Sequence, residues 1–213
     1  MINKEIDEAW NSYFIPGTSV LKNKLGITDY NQLVKEEAKI SALRNAELYI
    51  TPIEGNFDFD HLRQIHYYLF SDIYPFAGKK RIVDMKKEKG AFADVSVMDY
   101  YLEDVFLEAN EGISHIRNTY EFSELLAKLY TKLIFCHPFR EGNGRSIREF
   151  IREYAVEKSK KMPFGEVNFD WRNVDKESLN QYIEVAHIFP SYVQGEFLKA
   201  IVPKYDYVKD SSR

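Results

Sequence analysis

At about 150 residues per domain, a chain of 213 residues has the length of one domain or slightly more. Its 45% hydrophobic, 15% aromatic and 29% charged residues suit a globular protein with a sizeable core and exclude a disordered, collagen-like or coiled-coil chain. A net charge of −4 and a pI near 5.8 lack the basic footprint of a general DNA or RNA binder, so nucleic acid is not an expected partner.

The opening Met1–Trp10 is acidic and has no apolar segment, so it is not read as a secretory signal. No apolar run approaches the ~20 residues of a membrane span. The single cysteine, Cys136, has no internal partner and asks for no oxidising compartment. A cytoplasmic protein is expected. No repeat or linker interrupts the sequence, so residues 1–213 are expected to form a single domain.

Helical periodicity, with apolar residues three and four apart, predicts amphipathic helices over Leu33–Leu43 and Leu62–Phe70. Arg81–Val97 then reads as a short hairpin, with Ile82, Asp84 and Phe92 on its arms, Gly90 at its turn and lysines at its tip. Further helices are predicted over Tyr100–Leu107, Phe122–Ile134, Ile147–Val156, Leu179–His187 and, just beyond Pro190, Ser191–Val202. The class is all-α with one small hairpin.

Between two of these helices lies His137-Pro138-Phe139-Arg140-Glu141-Gly142-Asn143-Gly144-Arg145, followed by Arg148. Two glycines flanking an asparagine directly before a helix expose backbone N–H groups at its positive end, an arrangement suited to phosphate oxygens. Beyond them Arg145, Arg148 and Arg152 fall within ~60° of one another around the helix, so two or three guanidiniums are expected to line up for distal phosphates. Ile147, Ile151 and Tyr154 should point into the core. Glu141 is a hard oxygen ligand of the kind Mg²⁺ takes alongside phosphates. His137 titrates near neutral pH and can accept a hydroxyl proton. Together these are the parts of phosphoryl or nucleotidyl transfer. Each residue alone is what a cap, a turn or a solvated face would use; nine residue types at fixed spacing carry the reading.

The run resembles the signature of the Fic family, His-Pro-Phe-x-Asp/Glu-Gly-Asn-Gly-Arg-x-x-Arg, without a mismatch. The likeness extends to Tyr13–Thr18 with Leu21–Lys24, which is similar to the lead-in of Fic toxins and injected bacterial effectors, and to His61–Gly78 before the hairpin. The resemblance implies a compact helical Fic fold with a β-hairpin flap at about 81–97 and a motif loop and helix at 137–158. It implies transfer of AMP from ATP to a Ser, Thr or Tyr hydroxyl of a target protein, with release of pyrophosphate. His137 would be the base and Glu141 the Mg²⁺ ligand. Gly142, Asn143 and Gly144 would form the anion hole, Arg145 would contact the phosphates, and Arg148 would hold the γ-phosphate. On the flap, Lys89 and Gly90 would lie near the nucleotide, and Phe92 near a target segment added as an extra strand. Gln181 and Tyr182 fall where relatives contact adenine. Asp84 and Cys136 read as structural.

Many Fic enzymes are held off by a Ser/Thr-x-x-x-Glu-Gly/Asn helix whose glutamate pairs with the second arginine. In this sequence Glu54, Glu111 and Glu141 precede Gly or Asn, but Ile50, Leu107 and His137 stand four residues earlier. The expected inhibitor is therefore a separate small antitoxin-like protein. Rival readings are a Fic-fold transferase of phosphate, UMP or phosphocholine, and a non-enzymatic Fic-fold binding module. Phosphate-transferring relatives replace the second glycine by a bulkier basic residue, and Gly144 therefore favours AMP. A metal hydrolase is disfavoured, because His61, His66, His115, His137 and His187 form no His-Glu-x-x-His pattern.

Overall fold

The computed structural model describes residues 8–87, 90–183 and 185–204. In chain order it has α1 (Tyr30–Ile50), α2 (Phe59–Phe70), β1 (Lys86–Lys87), β2 (Gly90–Ala91), α3 (Met98–Gly112), α4 (Thr119–Cys136), α5 (Asn143–Ser159), β3 (Val167–Phe169), α6 (Lys176–Tyr182), α7 (Ser191–Ala200) and β4 (Ile201–Pro203). The mostly helical architecture agrees with the periodicity. Each predicted helix is present, and most run longer than their apolar stripe because the caps lie outside it.

Those caps explain where the helices begin. The side chains of Asp29, Asp58, Asn118 and Asp175 each accept a hydrogen bond from a backbone N–H in the first turn of α1, α2, α4 and α6. At α4 the exchange is reciprocal in kind, for Glu121 also accepts from the Arg117 amide at 2.7 Å. Helices α3, α5 and α7 have no side-chain cap; at α5 the N-cap is the left-handed Gly142, with no side chain to satisfy the exposed amides.

Helix α4 is the centre of the protein. Phe122, Leu125, Ala127, Tyr130 and Ile134 are buried around more than half of its circumference, and α3, α5 and α7 pack around it. A helix apolar over so wide an arc belongs in a core, where each fully buried Leu or Phe contributes roughly 1.5–3 kcal/mol. Helix α5 buries Ile147, Phe150, Ile151 and Tyr154, as expected from its stripe, and the Tyr154 hydroxyl donates to the Ala109 carbonyl at 3.0 Å.

Three expectations are corrected. The hairpin is much shorter than predicted: only Lys86↔Ala91 and Lys87↔Gly90 pair, so Gly90 is a strand residue rather than the turn. Beyond these pairs the Phe92 amide donates to the Met85 carbonyl at 3.3 Å, Asp84 accepts from the Val95 amide at 2.8 Å, and Val95–Val97 form a 3-10 turn. The last predicted helix stops at Ala200, and Ile201–Pro203 instead pairs antiparallel with Val167–Phe169. These β-branched residues suit a strand, but with three residues a side there is too little alternation to read. The helix predicted over Leu179–His187 ends at Tyr182.

Candidate active site

The motif loop joins the C-terminus of α4 to the N-terminus of α5, so a negative helix end and a positive one lie seven residues apart. His137 caps α4 in the left-handed region, at φ 50°, ψ 58°. Its amide donates to the Leu133 carbonyl at 3.0 Å. Nδ1 lies 3.3 Å from the Ile134 carbonyl oxygen, which can only accept; that contact requires Nδ1–H and leaves the neutral ring's lone pair on Nε2. The Phe92 ring stacks on the imidazole at 3.8 Å and 14°. Phe92 is thus an orienting contact of His137 as well as a flap residue.

Below the loop the side chains close a scaffold. Phe139 is fully buried and stacks on His66 at 3.9 Å. Asn143 turns inward: its Oδ1 accepts from the Phe139 amide at 2.8 Å and its Nδ2 donates to the Phe139 carbonyl at 2.7 Å. The Asn143 side chain is a loop clamp, and only its backbone amide is left to the expected anion hole. Gly142, at φ 79°, sits so close to Phe70 that a Cβ would lie 2.4 Å from the ring. Ser146 makes the first intrahelical amide bond, to the Gly142 carbonyl at 3.1 Å. The amides of Asn143, Gly144 and Arg145 precede it at the positive end of an uncapped helix.

The three arginines expected to align are dealt three different partners. Arg145 pairs with Glu37 of α1, donates to Ser41 Oγ at 2.9 Å and lies over the Phe70 ring. Tyr74 donates its hydroxyl to the other Glu37 oxygen. Arg152 turns away altogether, into a buried pair with Glu149 and a 3.2 Å bond to the Leu48 carbonyl, so it is no part of the site. Arg148 lies near the Tyr130 hydroxyl, and among the described residues it forms no ion pair with a carboxylate. It is the arginine whose charge is left for a ligand.

Glu141 is half-exposed, accepts from the Gly142 amide at 2.9 Å, and lies 3.8 Å from Arg145. Among the described residues no group of three or more His, Cys, Asp or Glu gathers into a metal cage. One half-exposed carboxylate beside the uncapped start of α5 suits Mg²⁺, which takes one or two carboxylates and completes its shell with phosphates and water.

Two supporting residues were missed from the sequence. His66 Nδ1 accepts from the Gly78 amide at 2.8 Å, so Nε2 carries the proton and donates to the Glu141 carbonyl at 2.8 Å. Burial pushes its pKa down to about 4. Arg140, the unspecified position of the motif, lies among the rings of Trp10, Tyr13 and Phe14 at 4.6, 5.5 and 5.2 Å. Their signal in sequence is weak: a histidine on an apolar helix face and an arginine in a loop.

A pH dependence follows from His66. The unfolded chain takes up its proton near pH 6.5, the folded chain only near 4, so the unfolded state binds more protons between them. Stability present above pH 6.5 is therefore expected to fall by up to about 3 kcal/mol as the pH drops to 4. Urea titrations at pH 7, 6 and 5 check this; a flat profile over that range would contradict the buried neutral ring.

Of the expected site residues, the fold brings His137, Glu141, Gly142, Asn143, Gly144, Arg145, Arg148 and Phe92 to one loop, its helix and the flap. Gln181 and Tyr182 sit on the exposed side of α6, where Tyr182 has Tyr192 of α7 as its ring partner. Gly90 pairs with Lys87 at the flap; Lys89 lies outside the described residues. No described helix is long and apolar enough to cross a membrane.

Residues 56–155 match the Fic/DOC family. The chain is 35% identical to protein adenylyltransferase VbhT of Bartonella schoenbuchensis over 89% of its own length and 38% of VbhT, so it spans well under half of that relative. It is 30% identical to y4lH of Sinorhizobium fredii, named a probable protein adenylyltransferase, over 64% of this chain and 70% of y4lH. Among solved structures its fold is similar to the BepC effector of Bartonella tribocorum with bound AMPPNP, at TM-score 0.77 and 23% identity, covering 91% of this chain and 98% of that one.

Proposed function

The chain belongs to the Fic/DOC family, and from that premise we propose that it is a protein adenylyltransferase moving AMP from ATP to a hydroxyl of a target protein. The observation that carries this reading is the glycine-capped start of α5, with three amides ahead of its first intrahelical bond and the carboxylate-free Arg148 one turn on. Helices α1, α2, α4 and α6 satisfy their first turns with an Asp or Asn side chain; α5 instead starts on a left-handed glycine beside the motif loop, with no side chain competing for its amides.

In the proposed mechanism the amides of Asn143, Gly144 and Arg145 hold phosphate oxygens, and Arg148 binds the distal phosphates. Glu141 would hold Mg²⁺, which when bound neutralises charge on the phosphates. His137 Nε2 takes the proton of a Ser, Thr or Tyr hydroxyl as that oxygen forms its bond to the α-phosphorus. The α–β phosphoanhydride bond breaks and pyrophosphate leaves. Arginines and amides fixed beforehand stabilise the developing charge without reorganising, which is the main source of such catalysis. Gln181 and Tyr182 would contact the base. Lys89 and Gly90 would border the nucleotide, and the flap edge would pair with the target backbone, while Phe92 keeps His137 oriented.

We place this chemistry in one domain, residues 1–213, acting in the cytoplasm of the producing cell or of a cell that receives the protein. Restraint is assigned to a separate antitoxin-like protein whose glutamate would reach Arg148, which of the three α5 arginines is the one that pairs with no carboxylate among the described residues.

The test is a lysate incubated with the chain, Mg²⁺ and ATP labelled on either the α- or the γ-phosphate. Label entering protein from the α position alone supports AMP transfer. Entry from the γ position would mean phosphate transfer and overturn the reading taken from Gly144.

A further inference from the structure

We propose that Arg81 is the positioning residue that locks the flap to the backbone of the candidate base, so that flap and His137 move as one unit. The inference rests on the reading of His137 given above.

Arg81 is fully buried, and it is among the largest side chains with no exposure. Its guanidinium reaches four main-chain carbonyls. Nε donates to His137 O at 2.8 Å, Nη1 to Val83 O at 2.7 Å, and Nη2 to Ala93 O and, at 3.2 Å, to Cys136 O. Its own amide donates to Pro138 O at 2.8 Å, and the Ala93 amide donates to Phe135 O at 3.1 Å. One side chain thereby joins both arms of the flap, at Val83 and Ala93, to the last turn of α4.

Such an arrangement is costly unless geometry is its purpose. A buried cation without a close counter-ion is costly; among the described residues the carboxylate within ion-pair distance of Arg81 is Asp84, 3.8 Å away and largely exposed. The charge is offset instead by carbonyl dipoles at the negative end of an 18-residue helix. Packing alone would be served as well by an apolar side chain. What an apolar residue lacks is the rigid fork that holds several acceptors in fixed directions.

The acceptors are the ones that matter to His137. Its left-handed backbone is strained for a residue with a Cβ, and the Nε bond falls on that residue's own carbonyl. On the other side, Ala93 adjoins Phe92, whose ring lies on the imidazole. Arg81 therefore sets the backbone under the base and the ring above it. Lysine, with a point charge on a flexible stem, cannot span these carbonyls.

The experiment compares wild type with Arg81→Lys and Arg81→Ala. R81K is expected to bind ATP within about threefold of wild type by calorimetry while its rate at saturating ATP falls about 100-fold, the size of effect that a misplaced catalytic group produces. Millimolar guanidinium should restore much of the activity of R81A. Transfer by R81K equal to wild type would overturn the proposal, as would ATP affinity and transfer falling together. Amide hydrogen exchange separates this from the function itself. In wild type the Ala93 and His137 amides should open together, with one free energy, and independent opening overturns the coupling even if neither variant folds. A wild-type chain that transfers no AMP would sink the adenylyltransferase reading and leave the exchange result to decide on Arg81.

Discussion

Alanine in place of His137 is expected to lower AMP transfer by about 10²–10⁴-fold, the usual contribution of a positioned general base, with ATP affinity nearly unchanged. The Ile134 carbonyl directs the Nδ1 proton and so assigns the lone pair to Nε2, and the Phe92 ring limits how the imidazole can turn. Neither contact involves the amides at the start of α5, which is why binding should survive. His137 also caps α4 in the left-handed region, where alanine is strained. Asparagine tolerates that conformation better, so His137→Asn separates lost chemistry from lost structure. Intact-protein mass spectrometry after incubation with ATP and Mg²⁺ reads the gain of one AMP. Transfer by H137N within tenfold of wild type would remove His137 from the role of base.

Gly142→Ala is expected to be the most damaging single methyl group in the motif. The residue sits at φ 79°, and its new Cβ would lie 2.4 and 2.5 Å from two ring atoms of the buried Phe70. A left-handed alanine costs roughly 1–2 kcal/mol and overpacking a core roughly 1–3 kcal/mol more. At roughly 2–4 °C per kcal/mol for a domain of this size, Tm should fall by about 5–15 °C. Because the clash is at the N-cap of α5, ATP affinity should fall with it. Gly144→Ala is the informative contrast. There the Cβ would meet only the flexible Arg148 Nη1, at 3.2 Å, and no positive φ is needed. Its Tm should stay near wild type while the displaced Arg148 weakens nucleotide binding. Equal melting of G142A and wild type would mean that Phe70 does not wall the loop.

How far the site was readable depended on where each residue's partners lie in the chain. The loop from His137 to Arg145 was legible because its logic is local: a helix end, a tight turn and the next helix start within nine residues. The fate of the arginines was not. Helical spacing put Arg145, Arg148 and Arg152 on neighbouring positions of α5, yet Glu37 and Ser41 claim Arg145, and Glu149 with the Leu48 carbonyl claims Arg152. Glu37, Ser41 and Leu48 belong to α1, about a hundred residues away in sequence.

The same division holds for the protein as a whole. The helical class, the amphipathic helix α4, the glycine-flanked start of α5 and the chemical types in the motif follow from the sequence alone, since periodicity, capping and glycine conformations act over a few residues. Only the tertiary structure decided that Asn143 is a clamp, that Phe92 covers His137, that Arg148 keeps its charge unpaired by carboxylate, and that Arg81 and His66 hold the loop from beneath. Each of these is a contact between segments that the chain brings together only by burying its core, and a buried arginine or histidine takes its meaning from the carbonyls that the fold sets around it.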